Sequence, residues 1–330
     1  MIKRAATAIL VIFALAATVA GCSEPAPADR PLVMGAPDTP TMTVMAHIYA
    51  GALRNAGSAV SPTVERGDYR TLLDDMDATS VDVFPAFSGL LLDQLAPQLA
   101  PATAEDVYKD LNRSLPQGVS VGDATMVSAT PQIFVAASTA EATTATDLDD
   151  CGTLPAGLPV VVVGTPQAST MDAFAAAGCR FGPTESVDSV RDAVGRVATG
   201  RAIGILTPLD VAGDDEQDAA SDIRALAAAE KSTTEGGVAQ SSSVPSSPAA
   251  PSSAAPSSAS AESAVVESGP RAQELVPVYR SAAFSRDEVK TLNKVAGELT
   301  TADLAALARE AIAGARPADL ANEWLAEHGL

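Results

Sequence analysis

The sequence predicts an α/β protein with mainly parallel strands, arranged in two lobes. Three observations carry this expectation. Short apolar runs alternate with capped helical segments from residue 31 to about 230. Leu158–Val163 and Ala202–Leu206 are continuous apolar runs of the kind buried inside parallel sheets. Residues 271–330 hold one strand and three helices, too small a core for an independent domain, so they are expected to pack back onto an earlier sheet.

In chain order, Pro31–Gly35 reads as the first strand. Thr39 then offers an N-cap and Pro40 a first helical position. Met45, Ile48, Tyr49, Ala52 and Leu53 give the apolar stripe, and Asn55-Ala56-Gly57 ends the helix. Val60–Val64 is a second strand, Asp68–Met76 a short helix with Leu72, Leu73 and Met76 inward, and Val81–Phe84 a third strand. Thr103-Ala104-Glu105-Asp106 is a capping box opening a helix through Leu111, and Ile133–Ala137 a further strand. After the Leu158–Val163 strand a helix is expected near Thr170–Ala177. Another is expected from Ser186, with Val187, Val190, Val194 and Val197 spaced helically and Gly200 past its end. Leu275–Tyr279 is strand-like; Ser285 caps a helix carrying Val289, Leu292, Val295 and Leu299. Thr301 begins one through Leu304, Leu307 and Ile312, and Pro317–Glu327 carries Leu320, Trp324 and Leu325.

The N-terminus sets the compartment. A basic Met1-Ile2-Lys3-Arg4, the uncharged apolar Ala5–Ala20 and the ending Val19-Ala20-Gly21-Cys22 describe a signal peptide over residues 1–21. The ending resembles the bacterial lipobox, which implies lipidation of Cys22 and a lipid-anchored tether over residues 22–30. The chain is therefore expected to be extracytoplasmic and held at the cell membrane. In that compartment the remaining cysteines, Cys151 and Cys179, are expected to form a disulfide, with two unpaired buried thiols as the alternative. Residues 232–270 form a Ser/Pro/Ala-rich segment without aromatic, Leu or Ile side chains, which reads as a disordered linker or surface insertion.

Composition excludes several functions. The 330 residues carry 21 Lys+Arg against 41 Asp+Glu, a formal charge of −20, which argues against a nucleic-acid partner. Loss of Lys3 and Arg4 with the leader deepens it by two. Two histidines make a multi-His metal site improbable. His47 reads as a partly exposed helix residue and His328 as a favourable charge in a final helical turn. Asp74-Asp75-x-Asp77 and Asp214-Asp215-Glu216-x-Asp218 lack the Gly and distal Glu of a calcium loop and read as solvated faces. There is no Gly-x-Ser-x-Gly elbow, no phosphate loop ending Gly-Lys-Ser/Thr and no His-Glu-x-x-His, so no enzyme and no cofactor is expected.

One loop is more informative. Gly35-Ala36-Pro37-Asp38-Thr39 leads from a strand into a capped helix, aiming backbone N–H groups at the strand's carboxyl end. With the following Tyr49-Ala50-Gly51-Ala52-Leu53 and Ala56-Gly57, it resembles the opening of the glycine betaine/carnitine/choline family of ABC-importer substrate-binding proteins. Val81-Asp82-Val83-Phe84-Pro85-Ala86-Phe87-Ser88-Gly89 is similar to the family's Asp-Leu-Tyr-Pro-Glu-Tyr-Thr-Gly. Leu292-Asn293, Gly297, Leu299-Thr300-Thr301, Leu304 and the final Trp324-Leu325 and Gly329-Leu330 resemble its closing helices.

The resemblance implies a two-lobed, type II periplasmic-binding-protein fold with a ligand cleft between the lobes. Lobe I would be residues 31–130 plus 271–330, and lobe II residues 131–231. It also implies a quaternary-ammonium ligand held by aromatic faces, with Phe84 and Phe87 where the family has tyrosines and Ala86 where it has an acid. Phe84 and Phe87 face either core or cleft, as does Phe134; Tyr279 is a further candidate. Polar candidates follow from strand ends: Asp38, Thr39, Ser88, Gln132, Gln167, Ser169, Thr207 and Asp210. The expected function is an extracytoplasmic solute-binding lipoprotein of an ABC importer, capturing an osmoprotectant-like solute (glycine betaine, choline, carnitine or proline class) for permease subunits. The alternative is a surface-anchored sensor or interaction lipoprotein on the same scaffold.

Overall fold

The computed structural model describes residues 30–165, 167–212, 221–226 and 269–330. The signal peptide, Cys22, the Asp214–Asp218 run and nearly all of the 232–270 segment lie outside the described residues. The strands are β1 (Leu32–Ala36), β2 (Val60–Arg66), β3 (Val83–Phe87), β4 (Val119–Val121), β5 (Gln132–Ala136), β6 (Val160–Val163), β7 (Thr184–Val187), β8 (Ile203–Leu206), β9 (Ile223–Leu226) and β10 (Leu275–Arg280). The helices are α1 (Pro40–Asn55), α2 (Tyr69–Asp77), α3 (Ser88–Leu95), α4 (Ala104–Ser114), α5 (Ala137–Thr143), α6 (Ala168–Ala176), α7 (Val190–Ala198) and α8 (Pro208–Ala212), followed by α9 (Arg286–Glu298), α10 (Thr301–Ile312) and α11 (Pro317–His328). They divide into two compact units. Unit 1 takes the described residues up to Leu99, Tyr108–Ser128 and Gln273–Leu330; unit 2 takes Ala100–Val107 and the described part of Ala129–Ala272.

Unit 1 is built on a five-stranded sheet in the order β2-β1-β3-β10-β4. β1 runs parallel to β2 and β3, and β10 antiparallel to β3 and β4. The returning strand β10 thus completes a sheet begun some two hundred residues earlier. Beside this sheet α1 packs against α9, α10 and α11. Thr39 caps α1 by accepting from the Met42 N–H at 3.2 Å, with Pro40 in the first turn. Met45, Ile48, Tyr49 and Leu53 have no exposed surface. Gly51 sits where α1 meets α11: a Cβ there would press on Leu325 Cδ1, and that side chain would have to shift to admit it. His47 is half-buried on the same helix; burial, then the nearby Arg54, lowers its pKa. Capping boxes Ser285/Glu288 and Thr300/Asp303 open α9 and α10.

The buried carboxylate of Asp82 ties this sheet together. Arg30 donates to it through Nη1 and Nη2, both at 2.8 Å; Arg280 donates through Nη2 at 2.6 Å and Nε at 3.1 Å. The Val33 N–H completes the set at 2.9 Å. The main chain of Asp82 adds two bonds, donating to Val33 O at 2.8 Å and accepting from the Arg280 N–H at 2.9 Å.

Unit 2 holds a second five-stranded sheet, β7-β6-β8-β5-β9. β6 is parallel to β7 and β8, whereas β5 is antiparallel to β8 and β9. Strand alternation sorts its side chains into two cores. Ile133 and Val135 lie with Phe174, Ile203 and Leu226 on one face. Phe134 lies with Val161, Val194 and Val197 on the other, which makes it a core residue. Cys151 and Cys179 are bonded and buried in the first of these cores. Gly182 is a true steric requirement, because a Cβ there would stand 2.7 Å from the Leu158 carbonyl oxygen.

Several expectations shift. The third strand lies at Val83–Phe87 and runs straight through Pro85, which stands opposite Pro277. The Pro277 carbonyl points the other way, accepting from the Gly122 N–H at 2.9 Å. The two prolines therefore form a pair that exchanges no hydrogen bond across β3 and β10. Ser186 and Val187 belong to β7 rather than to a helix, because β6 needs a parallel partner and pairs Val163 with Val187. The helix begins after Ser189, whose hydroxyl accepts from the Asp192 N–H at 3.1 Å. Ile312 falls on the outer side of α10 and is 70% exposed. Helices α3 and α5 and strands β4 and β9 had no sequence signal strong enough to be read.

Replacing Asp82 by Ala would leave Arg30 and Arg280 facing a buried gap. A loss of about 3–5 kcal/mol is expected, read as a lower denaturation midpoint in urea at unchanged slope.

Candidate functional site

In an open α/β sheet, loops leave the carboxyl ends of neighbouring strands in opposite directions where the strand order reverses. The opening between them is the usual ligand position. In unit 1 the order β2-β1-β3 places this reversal between β1 and β3. In unit 2 the order β7-β6-β8 places it between β6 and β8. Each unit therefore has its own switch point.

At the unit 1 switch point stand Asp38 and Thr39 after β1, and Phe87 and Ser88 at the end of β3. Asp38 is exposed and paired with Arg66 Nε at 2.9 Å, while Arg66 Nη1 also donates to the Thr43 hydroxyl. With both partners solvated, this pair adds little stability and mainly orients the loop. Phe87 is half-buried, and its N–H donates to the Tyr69 hydroxyl at 2.9 Å. Burial pushes the Tyr69 phenol up to about 12, partly offset by that hydrogen bond, so it stays neutral. Ser88 is buried. Its N–H donates to Glu274 O at 2.8 Å, and its Oγ accepts from the Glu274 N–H at 3.1 Å. The Leu90 N–H donates to Gln273 Oε1 at 2.8 Å. The first turn of α3 is thus capped by the incoming end of β10, not by a residue next to it in sequence.

At the unit 2 switch point stand Gln167 and Ser169 after β6, both exposed, and Thr207 and Asp210 after β8. Gln167 precedes α6 without a side-chain capping bond. Thr207 and Asp210 engage each other. Asp210 Oδ2 accepts from the Thr207 N–H at 2.9 Å and from its hydroxyl at 2.8 Å, and Thr207 Oγ1 accepts from the Asp210 N–H at 3.0 Å. Gln132 opens β5 opposite Leu206, so it joins the same edge from the antiparallel neighbour.

Two aromatic candidates do not join this set. Phe84 has no exposed surface, and its ring packs against that of Tyr69 with centroids 6.2 Å apart. Period two places it on the face opposite Phe87, and no turn at Pro85 intervenes. Tyr279 pairs with Val83, whereas Leu275 pairs with Phe87. Tyr279 therefore lies at the opposite end of β3 from Phe87, where it packs on Phe284 with centroids 5.3 Å apart. Tyr69, Gln273 and Glu274 join the unit 1 edge without having been singled out from the sequence. Gln273 and Glu274 carry no local signal, since they arrive at Ser88 through pairing across nearly two hundred residues. No group of three or more His, Cys, Asp or Glu side chains able to hold a metal ion occurs among the described residues.

Tyr69→Phe removes the acceptor of the Phe87 N–H. It should cost about 1–3 kcal/mol and speed hydrogen exchange at that amide, measured by mass spectrometry.

Residues 30–177 match the family described as the substrate-binding domain of ABC-type glycine betaine transport systems. A crystal structure of a glycine betaine/carnitine/choline ABC transporter aligns with a TM-score of 0.62 at 15% identity, covering 90% of this chain and 98% of that one. Apo YehZ from Escherichia coli aligns with a TM-score of 0.59 at 15% identity, covering 91% and 99%. At such identity these structures establish the fold, which is that of the type II periplasmic binding proteins. No curated protein sequence matches the chain. In sequence over residues 30–177, and in fold over most of its length, the chain is similar to the substrate-binding proteins of glycine betaine-type ABC transporters.

Proposed function

We propose that the protein is an extracytoplasmic solute-binding lipoprotein of an ABC importer, which captures a small osmoprotectant-like solute and delivers it to permease subunits. The observation that carries the reading is the placement of the polar candidates. Asp38, Thr39, Phe87 and Ser88 fall at the unit 1 switch point, and Gln132, Gln167, Ser169, Thr207 and Asp210 at the carboxyl edge of the unit 2 sheet. The matched family supports binding without chemistry, being one of solute-binding domains. In this reading the groups that meet the solute are drawn from strand carboxyl ends. Phe87 offers a ring face to a quaternary ammonium, and the hydroxyl and amide groups serve the rest of the molecule.

Anchoring is assigned to Cys22, lipidated after removal of residues 1–21. Among the described residues no helix is long and apolar enough to cross a membrane. The Cys151–Cys179 bond suits an oxidising compartment.

The test is calorimetric titration of the mature, unlipidated chain carrying Cys22→Ser against glycine betaine, choline, carnitine and proline. One of them should bind with a dissociation constant on the order of micromolar; absence of heat with all four would sink the osmoprotectant reading. Anchoring is checked separately by fractionating cells that express either form. The unaltered chain should sediment with membranes and Cys22→Ser should be soluble; a membrane-bound Cys22→Ser form would rule out the lipid anchor.

A further inference from the structure

Helix α6 presents Gln167 and Ser169 at the unit 2 switch point, yet little of it is seated in the core. Phe174 is its one buried side chain. Gln167 precedes it without a side-chain capping bond, and Thr165, Ala168 and Ser169 around that cap are exposed. Among the described residues the side chains of Ser169, Thr170 and Asp172 make no hydrogen bond or ion pair. Helix α7 of the same unit is held quite differently. It buries Ala193, Val194 and Val197, is capped by Ser189, and carries the Arg196–Glu185 ion pair at 2.9 Å.

The carboxyl end of α6 is where the helix is fixed. Gly178, at φ +93°, turns the chain back on itself. Its N–H donates to Ala175 O at 3.1 Å, and the Cys179 N–H donates to Phe174 O at 3.1 Å. This is a Schellman ending, in which the residue two past the cap packs with the residue it bonds back to. Those two residues are Cys179 and Phe174, and both lie in one core, where Phe181 meets Phe174 edge-on at 6.2 Å between centroids. Cys179 is bonded to Cys151 in the tight helical turn Leu148–Thr153. That turn is firmly held. Leu148 and Cys151 are buried, Asp147 Oδ1 accepts from the Asp149 N–H at 3.0 Å, and Asp150 Oδ2 accepts from the Thr146 N–H at 2.8 Å.

The nine-residue α6 is thus joined to an anchored turn at one end and carries its candidate residues at the other. A helix of that length spans about 13 Å and keeps its shape, so the fixed end sets where Gln167 and Ser169 stand. The sheet itself has less need of the bond. Strand β6 lies between β7 and β8, and Val160, Val161 and Val162 are buried.

We propose that the Cys151–Cys179 disulfide, together with Phe174, is a positioning element for the unit 2 edge. It holds α6, and through α6 it places Gln167 and Ser169, while the unit 2 sheet stands without it. This rests on the solute-binding reading above and adds to it a pair of residues that touch no solute.

The test compares the mature Cys22→Ser chain with two bond-free forms. One carries Cys151→Ala and Cys179→Ala as well; the other is the Cys22→Ser chain refolded in dithiothreitol, so that the bond never forms. Hydrogen exchange, read by mass spectrometry, should speed about tenfold or more in peptides from α6 of both forms, with peptides from β6 and β8 little changed. Glycine betaine, choline, carnitine and proline are titrated into all three. Whichever binds the Cys22→Ser chain should bind the bond-free forms about fivefold or more weakly, because binding must then also order α6. Unchanged exchange in α6 overturns the proposal. Equal acceleration in α6, β6 and β8, or loss of the folded state, also overturns it by showing that the bond supports the whole unit. A loosened α6 with unaltered affinity separates the bond from the site and overturns the positioning role, leaving the transport reading intact. If none of the four solutes binds the Cys22→Ser chain, the transport reading falls and takes this proposal with it.

Discussion

The carboxylate of Asp82 is the constraint on which unit 1 depends. It has no exposed surface, and its oxygens accept from Arg30, Arg280 and the Val33 N–H. Its three partners come from the segment entering β1, from β1 itself and from the end of β10. A buried charge with this many directional donors permits few alternative arrangements, so it specifies which strands meet even where its net stabilisation is modest. Once β1, β3 and β10 are held at that end, their register fixes the other end. Phe87 comes opposite Leu275, and Glu274 comes against Ser88. The geometry of the candidate edge is thus set by an ion cluster a strand's length away.

The two units solve the same problem with different local chemistry. Each sheet reverses strand order once, and each reversal exposes loops at strand carboxyl ends. In unit 1 the loops are restrained by side chains distant in sequence: Tyr69 holds the Phe87 amide, and Gln273 holds the Leu90 amide. In unit 2 the turn after β8 restrains itself, through the Thr207–Asp210 pair. That pair satisfies its own polar atoms, so Thr207 and Asp210 fix the shape of the edge. Gln167 and Ser169, exposed and without capping bonds, have more freedom to respond.

The parts of the fold legible in the sequence are those whose cause is local. Thr39 and Pro40, Ser285 with Glu288, and Thr103 with Asp106 mark helix starts because each cap is a hydrogen bond spanning three residues. The apolar runs before Val163 and Leu206 read as buried strands because both faces of a central parallel strand are covered. Errors arose where two local readings competed. Ser186 and Ser189 are both acceptable caps, and only the demand of β6 for a parallel neighbour decides between them. Pro85 has no local signal for its place in a strand, and only the pairing shows that it stands opposite Pro277.

The sequence by itself therefore determined the class, the order of most elements and the loops from which a site must be drawn, since these follow from periodicity and short-range capping. The tertiary structure decided which of the named residues share an edge. Phe84 and Phe87 are three positions apart in one strand, yet one is enclosed and the other stands at the rim. Tyr279 is close in space to the start of β3 rather than its end, and Glu274, five residues earlier, takes the place beside Ser88. Strand pairing is non-local and antiparallel return reverses direction, so a few residues along β10 exchange one end of the sheet for the other. No local pattern records that distance.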